Sequence, residues 1–389
     1  MNRLKKYNQL YRDLYALAES RINTVFEQNE FFSGDHHPEL SYIKNKHQPR
    51  NPSFINVLHK YYLMTTLGKY KFSFNHFFKI VFLLFIINIR FRRFKQIVKF
   101  YNSVIDREIE NLQHFVPEID ISSKKHQIVK VVLANVITKF INTNVLKPKS
   151  LMFTMEKMFY MGYYIGVTYI ISDQILDSPN YSDSEKKDFH NIVQRVLSNS
   201  DYSEFSQCRF YSFVKQVAED CKSRFPFSDN EAYYKILFLL EQSQYEDLCF
   251  NYKRGNKEML ISKSCLAALK TQFSLIAVNQ QLCNDLNDNV RESILWTLYC
   301  QMTDDIRDIN EDKEQNIQTL FTLDESHDKF NPYKLYIFLS TIFARKYYAK
   351  WMYSDLLNIL NDNELYKEVK QDDKKINVFT NKILGLEFA

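Results

Sequence analysis

Residues that interrupt helices are scarce in this chain, which has six glycines and eight prolines among its 389 residues. In an average globular protein these two residue types together make up about 12% of the chain. A β-rich protein of this length needs many tight turns, and tight turns need glycine and proline. The sequence therefore predicts an all-α fold, with helices longer than usual in stretches such as 53–116 and 227–331.

Composition also argues against several classes of protein. The six cysteines form no Cys-x-x-Cys pair, which argues against a zinc site or a disulfide framework and fits a reducing compartment. Residues 1–20 alternate charged and apolar side chains and lack the apolar core of a signal peptide. A net charge of +5 is too small to indicate a nucleic-acid partner. We therefore expect a cytoplasmic protein that does not bind nucleic acid.

The segment 71–100 contains seven lysines and arginines, no acid, and an apolar run over 80–87. That run is too short to cross a bilayer, which takes about 20 apolar residues. One interpretation is a buried helix followed by a basic, solvated turn. The other is an element that rests on anionic lipid at the inner face of the membrane. Its headgroup contacts would be Arg90, Arg92, Arg93 and Lys95. The sequence leaves both interpretations open.

A first pair of acids, Asp173 and Asp177, lies four residues apart and leaves the same face of a helix that Pro179 soon ends. Like charges at this spacing repel, and the C-terminal end of a helix carries partial negative charge. The preceding run over 158–171 is strongly apolar, which disfavours a purely solvated face. Bound cations would relieve the repulsion, although such pairs are common in helices that bind no metal.

A second acidic cluster is denser, with five acids over residues 304–312. Asp304, Asp308 and Asp312 recur every four residues, beside Asp305 and Glu311. The preceding stretch is apolar, so the acids emerge from a buried helix. Carboxylate oxygens at this spacing suit Mg²⁺, which is commonly shared with substrate phosphates. A solvated acidic face is the alternative interpretation.

Cations lie between the two acidic clusters along the chain. Arg254 precedes Gly255 in a break between predicted helices, and Lys263 and Lys270 are seven residues apart on one face of the next helix. Each alone is typical of a protein surface. Together with the acids they predict a site for magnesium and a diphosphate.

At four places the chain resembles the class I terpenoid synthase superfamily, both its trans-isoprenyl diphosphate synthases and its bacterial large-terpene synthases. DQILD at 173–177 is similar to the first Asp-rich motif, DDxxD, and QMTDDIRD at 301–308 is similar to the second. EQSQYEDL at 241–248 resembles the GQxxDL element, with Glu241 where glycine is usual. LAALKTQF at 266–273 resembles the segment that carries a Lys-Thr pair. The resemblance covers about residues 150–320.

This resemblance implies a single large helical bundle of the isoprenoid synthase type, with 1–120 as an N-terminal helical extension and 121–389 as the synthase-like domain. It implies a prenyl diphosphate substrate and Mg²⁺ as the cofactor, about three ions per site. The implied metal ligands are the aspartates of both clusters, namely Asp173, Asp177, Asp304, Asp305, Asp308 and Asp312. Those implied to act in ionising the diphosphate are Asp173, Asp177, Asp304 and Asp308.

The resemblance also suggests how the rest of the substrate is held. The departing pyrophosphate would be bound by Arg254, Lys263 and Lys270. Gly162 and Gly166 precede Asp173 by eleven and seven residues, and on the same helix face they would leave depth below the metals. Tyr169, one turn before Asp173, would contour that depth. Close helix packing is the alternative explanation of the two glycines.

Departures from the family pattern decide between its reactions. Gln174 replaces the second aspartate of the first motif, and the Arg-Arg-Gly and Gly-Lys-x-x-Arg elements of chain elongation have no convincing copy. These losses favour one diphosphate substrate over two, and so a cyclase that releases pyrophosphate. The alternatives are a prenyltransferase, which makes a linear polyprenyl diphosphate or joins two prenyl chains, and a non-catalytic subunit of this fold. Assembly as a homodimer is also left open.

Overall fold

A computed structural model describes residues 3–28, 103–142, 148–250, 257–279, 286–314 and 316–323, together with residues 332, 335, 336, 338 and 339. Helices dominate this part of the chain, and its residues include no β-strand. The prediction of an all-α fold is confirmed. Arg254 and the basic segment 71–100 lie outside the described residues, so the interpretations of both stay predictions.

The chain divides into two compact units that interleave along the sequence. The first unit comprises Met1–Tyr11, Ser53–Leu248 and Phe273–Asn284, and the second comprises Arg12–Pro52, Cys249–Gln272 and Asp285–Ala389. The boundary expected near residue 120 falls inside the first unit, and the assignment of 1–120 as an extension stays a prediction.

Most of the described helices lie within one unit. In chain order the helices are α1 (Arg3–Gln28), α2 (103–113), α3 (Lys125–Asn142), α4 (Pro148–Gly166), α5 (Ser172–Asp177), α6 (Asp183–Leu197), α7 (Tyr211–Arg224), α8 (Phe227–Cys249), α9 (Lys257–Asn279) and α10 (Leu286–Glu314). A five-residue π-helix, Val167–Ile171, joins α4 to α5 without a break. None of these helices combines the length and apolarity needed to cross a bilayer.

Helix α6 illustrates how local sequence sets the helix ends. Ser182 accepts a hydrogen bond from the backbone N–H of Glu185, and the Glu185 carboxylate accepts one from the backbone N–H of Ser182. This capping box satisfies two amides that the first turn leaves without helical partners. At the other end Asn199 adopts a left-handed conformation, with φ of 51°. Asparagine tolerates that conformation better than most residues, and it ends α6.

The two glycines of α4 face α3 at close range. A Cβ atom on Gly162 would lie 2.8 Å from the Cα atom of Val132 and 3.1 Å from the Cβ atom of Asn135. A Cβ on Gly166 would lie 3.1 Å from the Cγ2 atom of Ile128. The missing side chains therefore let two helices approach each other. The prediction that they leave depth for a substrate is wrong at both positions, because α3 occupies that space.

Buried tyrosines tie α8 into the core of the first unit. The Tyr233 hydroxyl donates to the carbonyl oxygen of Met161 at 2.8 Å, and the Tyr234 hydroxyl donates to that of Phe225 at 2.8 Å. Tyr7 packs edge-on against Phe238, with ring centroids 5.3 Å apart. Each ring buries apolar area while its hydroxyl, where buried, keeps a partner. Aromatic residues make up 15% of the chain, and part of them thus builds a well-packed core.

Candidate functional site

The first acidic pair lies on α5 in the first unit. This short helix buries Ser172, Ile175 and Leu176, whereas Asp173 is half-buried and Asp177 is exposed. Ser178 turns to an extended conformation directly after Asp177 and ends the helix. The core side of α5 is thus apolar, and both carboxylates leave its other side, as their spacing predicted.

A glutamine of α8 connects to this pair. The Gln244 amide nitrogen donates to the carbonyl oxygen of Tyr169 at 2.8 Å and makes a longer contact of 3.4 Å with a carboxylate oxygen of Asp173. Tyr169 lies in the π-helix, and such single π-turns are frequent at functional sites. That the Tyr169 side chain contours the substrate space stays a prediction, and its backbone carbonyl oxygen anchors Gln244. Gln244 itself was not among the predicted site residues.

The other end of the same amide is a buried acceptor. Gln244 is only 3% exposed, and its Oε1 atom has no hydrogen-bond partner in the described part of the chain. Exchanging the amide oxygen and nitrogen would set oxygen against two acceptors, so the orientation is determined by its neighbours. A buried acceptor usually has a partner, often water. Gln244 therefore offers an oxygen for a donor close to Asp173.

Two recesses occur in the first unit. A cavity of about 50 Å³ borders Ser172 on the core side of α5, enough for a water molecule or two but far below the roughly 300 Å³ of a typical ligand site. A larger, open recess of about 570 Å³ has a mixed polar and apolar lining, and none of the predicted site residues lines it. Its lining includes Glu108, His114, Tyr163, Tyr164, Gln216 and Asp220.

The second acidic cluster lies at the C-terminal half of α10 in the second unit. Asp304 and Asp308 are exposed and lie one turn apart, and Asp312 is half-buried. The opposite side of the helix is apolar, since Met302, Ile306 and Ile309 are buried. Asp304 and Asp308 therefore present two carboxylates to the surroundings, as their spacing predicted.

Asp305 is placed differently from its neighbours. It is 7% exposed, and its carboxylate accepts a hydrogen bond of 2.7 Å from the amide of Gln301. The carbonyl oxygen of that amide in turn accepts one of 2.6 Å from the hydroxyl of Thr271 on α9. Gln301 and Thr271 were not predicted as site residues. Their hydrogen bonds attach the acidic end of α10 to α9. They also hold the Asp305 side chain toward the core, away from the exposed Asp304 and Asp308.

The predicted diphosphate-binding lysines also lie on α9. Lys263 is buried, at 4% exposed, and its ammonium nitrogen lies 5.8 Å from the centroid of the Phe250 ring, within the range of a cation–π interaction. Lys270 is half-buried and directly precedes Thr271. Of the two, Lys270 is the more accessible to a ligand.

The predicted ligands thus form two exposed or half-exposed pairs, Asp173 with Asp177 in the first unit and Asp304 with Asp308 in the second. Within the described ranges no three His, Cys, Asp or Glu side chains lie close enough to form a metal site by themselves. Mg²⁺ is often held by one or two carboxylates plus substrate phosphates, with water completing its shell. Each pair fits that mode of binding better than a complete protein cage.

Comparison with known proteins gives no match among family models, curated proteins or solved structures. The function proposed below therefore rests on the residues and contacts of the chain itself.

Proposed function

We propose that this chain is a class I terpene synthase, which binds one prenyl diphosphate with Mg²⁺, ionises it, cyclises the carbocation and releases pyrophosphate. The observation that supports it best is a pairing of segments. The four segments that resemble the family meet two by two through side-chain contacts, Gln244 with Asp173 and Thr271 with Gln301. These contacts join residues 71 and 30 positions apart, so sequence proximity does not produce them.

The contact of Gln244 also improves the alignment with one motif. With Ser243 instead of Glu241 in the place of glycine, residues 243–248 read Ser-Gln-Tyr-Glu-Asp-Leu. This has the spacing of Gly-Gln-x-x-Asp-Leu, with Gln244 as its glutamine. Gln242, which the first alignment used, instead donates to Glu246 on its own helix. The resemblance is therefore closer in this register.

The chain's own residues have distinct roles in this proposal. Mg²⁺, when bound, supplies the positive charge that neutralises the diphosphate as it leaves. The carboxylates proposed as its ligands are those of Asp173 and Asp177 in the first unit and of Asp304 and Asp308 in the second. The hydrogen bond from Gln301 fixes the buried side chain of Asp305, and so helps to hold the helix turn that carries Asp304 and Asp308. Lys270 would contact the leaving pyrophosphate.

Product analysis tests the proposal. The purified protein is incubated with Mg²⁺ and geranyl, farnesyl or geranylgeranyl diphosphate, with and without isopentenyl diphosphate. We expect a hydrocarbon and pyrophosphate without isopentenyl diphosphate. Longer diphosphates that form only in its presence would instead indicate a prenyltransferase. No turnover together with no Mg²⁺-dependent pyrophosphate binding would favour a non-catalytic subunit.

A pair of variants tests the metal ligands. Asp304→Ala with Asp308→Ala should abolish turnover and Mg²⁺-dependent pyrophosphate binding, because the two carboxylates proposed as metal ligands on α10 are lost. Asp288→Ala is the matched control, since Asp288 is exposed on the first turns of the same helix and pairs with Arg291 at 3.0 Å. Full activity in the double variant would refute the metal assignment.

A further inference from the structure

A buried acidic network links α6 to α8 in the first unit. Glu241 is completely buried, and the Nδ1 atom of His190 lies 2.9 and 3.1 Å from its two carboxylate oxygens. The Gln194 amide donates to the same carboxylate and, at 3.3 Å, to the carbonyl oxygen of Phe238. The carboxylate therefore receives donors from two side chains of α6, one turn apart.

An aromatic ring completes the network. The imidazole of His190 stacks on the ring of Tyr245, with centroids 3.7 Å apart and planes 8° from parallel. Glu241, Gln244 and Tyr245 are at positions i, i+3 and i+4 of α8 and so lie on neighbouring parts of one face. Glu241 and Tyr245 engage α6, while Gln244 engages Tyr169 and Asp173. The residues on either side of Gln244 along this face, Glu241 and Tyr245, thus attach α8 to α6.

Holding two helices together does not require a buried carboxylate. Removing a carboxylate from water is unfavourable, and apolar side chains of similar volume often stabilise a core as well or better. The best-attested advantage of such groups is that they specify one register of packing. A carboxylate with fixed donors accepts one rotation of its helix, whereas an apolar contact tolerates several.

We propose that Glu241 is a positioning residue, which with His190 and Gln194 fixes the rotation of α8 and so directs the amide of Gln244 at Tyr169 and Asp173. The effect on the metal site rests on the proposed function, because Asp173 is a ligand only there. The effect on Gln244 does not. In the described residues Glu241 bonds to His190 and Gln194, and its effect on Asp173 passes through Gln244, which contacts Asp173.

The first test observes Gln244 directly, with no ligand present. The side-chain amide resonance of Gln244 is followed in ¹H–¹⁵N spectra of deuterated protein and assigned by its absence in Gln244→Leu. Glu241→Met should shift this resonance or broaden it, whereas Glu241→Gln, which keeps an oxygen for His190, should shift it less. Tyr234→Phe is the matched control, because it removes a buried hydrogen bond from the same helix without touching Glu241.

An apolar double variant guards against loss of folding. His190→Leu with Glu241→Met removes the whole polar pair and leaves no buried charge without a partner, so it should fold even where Glu241→Met alone does not. The Gln244 resonance should be displaced in this variant as well. A lowered melting temperature with an unmoved Gln244 resonance in both variants would overturn the proposal and leave Glu241 a purely structural residue.

The second test measures pyrophosphate binding by calorimetry in the presence of Mg²⁺. Residues that orient metal ligands typically contribute about 10- to 100-fold in affinity, and we expect a loss of that order in Glu241→Met. Adding Glu241→Met to Gln244→Leu should cause no further loss, because the effect passes through Gln244. Additive losses would overturn the proposal. If the unmodified protein binds no pyrophosphate, the proposed function fails, and the resonance of Gln244 still decides the role of Glu241.

Discussion

Substituting the two glycines of α4 by alanine separates close packing from open space. In a helix interior, glycine to alanine alone stabilises by about 0.5–1 kcal/mol. At Gly162 the new Cβ would lie 2.8 Å from the Cα atom of Val132, a backbone atom that moves only with α3. Such overpacking typically costs about 1–3 kcal/mol. The net effect of Gly162→Ala is therefore a loss of about 0–2.5 kcal/mol.

At Gly166 the balance differs. The nearest atom to a new Cβ is the Cγ2 of Ile128 at 3.1 Å, which belongs to a side chain that can shift by a few tenths of an ångström. The gain in helix propensity should offset this cost, so Gly166→Ala should be neutral or stabilising. The two variants are thus each other's control, and Gly162→Ala should be the less stable of the pair.

Urea titrations followed by circular dichroism measure this difference. The midpoint for Gly162→Ala should lie below that of the unmodified protein, and that for Gly166→Ala at or above it. An unchanged slope of the transition would show that stability rather than the denatured state has changed. If both variants are equally stabilised, each glycine faces open space, and the packing of α4 on α3 is refuted.

Three further predictions concern single contacts. Thr271→Val leaves the Gln301 carbonyl oxygen without its donor, which should cost about 1–3 kcal/mol in a chemical denaturation and weaken Mg²⁺-dependent pyrophosphate binding, while Thr271→Ser retains both. Hydrogen bonds from the backbone and side chain of Ser182 lower the pKa of Glu185 below 4.5, so their stabilisation is present above that pH and is lost as the pH falls through the lowered pKa. Glu185→Gln should therefore flatten the acid side of the melting-temperature profile. Burial raises the pKa of the Cys221 thiol to about 12, so iodoacetamide at pH 8 should leave Cys221 unmodified in the folded protein, as mass spectrometry would report.

The sequence was most informative where a periodic pattern or a missing residue type carried the information. Scarce glycine and proline predicted helices because turns need those residues. The spacing of Asp304 and Asp308 predicted that both leave one face of α10, and both are exposed. Asp305 was also within reach of this reasoning. It is three residues after Met302 and four before Ile309, both of them buried, so helical periodicity places it on the core side.

Other parts of the candidate site depend on contacts that no local pattern encodes. Gln244 meets Asp173 across 71 residues, and a single amide in a helix has no periodic signature. The buried pair of His190 and Glu241 spans 51 residues, and sequence alone would place both on the surface. The sequence around Gly162 is compatible with open space for a substrate and with close helix packing. Only the position of Val132 distinguishes the two.

The π-helix over Val167–Ile171 sets the angle between the face of α4 that carries the glycines and the face of α5 that carries the carboxylates. In an uninterrupted α-helix, Gly166 and Asp173 are seven residues apart and would point in nearly the same direction. A π-helix needs more residues than an α-helix to complete one turn. Over five residues, the side chains that follow are therefore rotated by roughly a quarter turn from where an α-helix would place them. The glycines can therefore face α3 while the carboxylates that follow point in a different direction. If the same residues formed a regular α-helix, the carboxylates would point back toward α3, so the π-helix is what separates the glycine face from the acidic face.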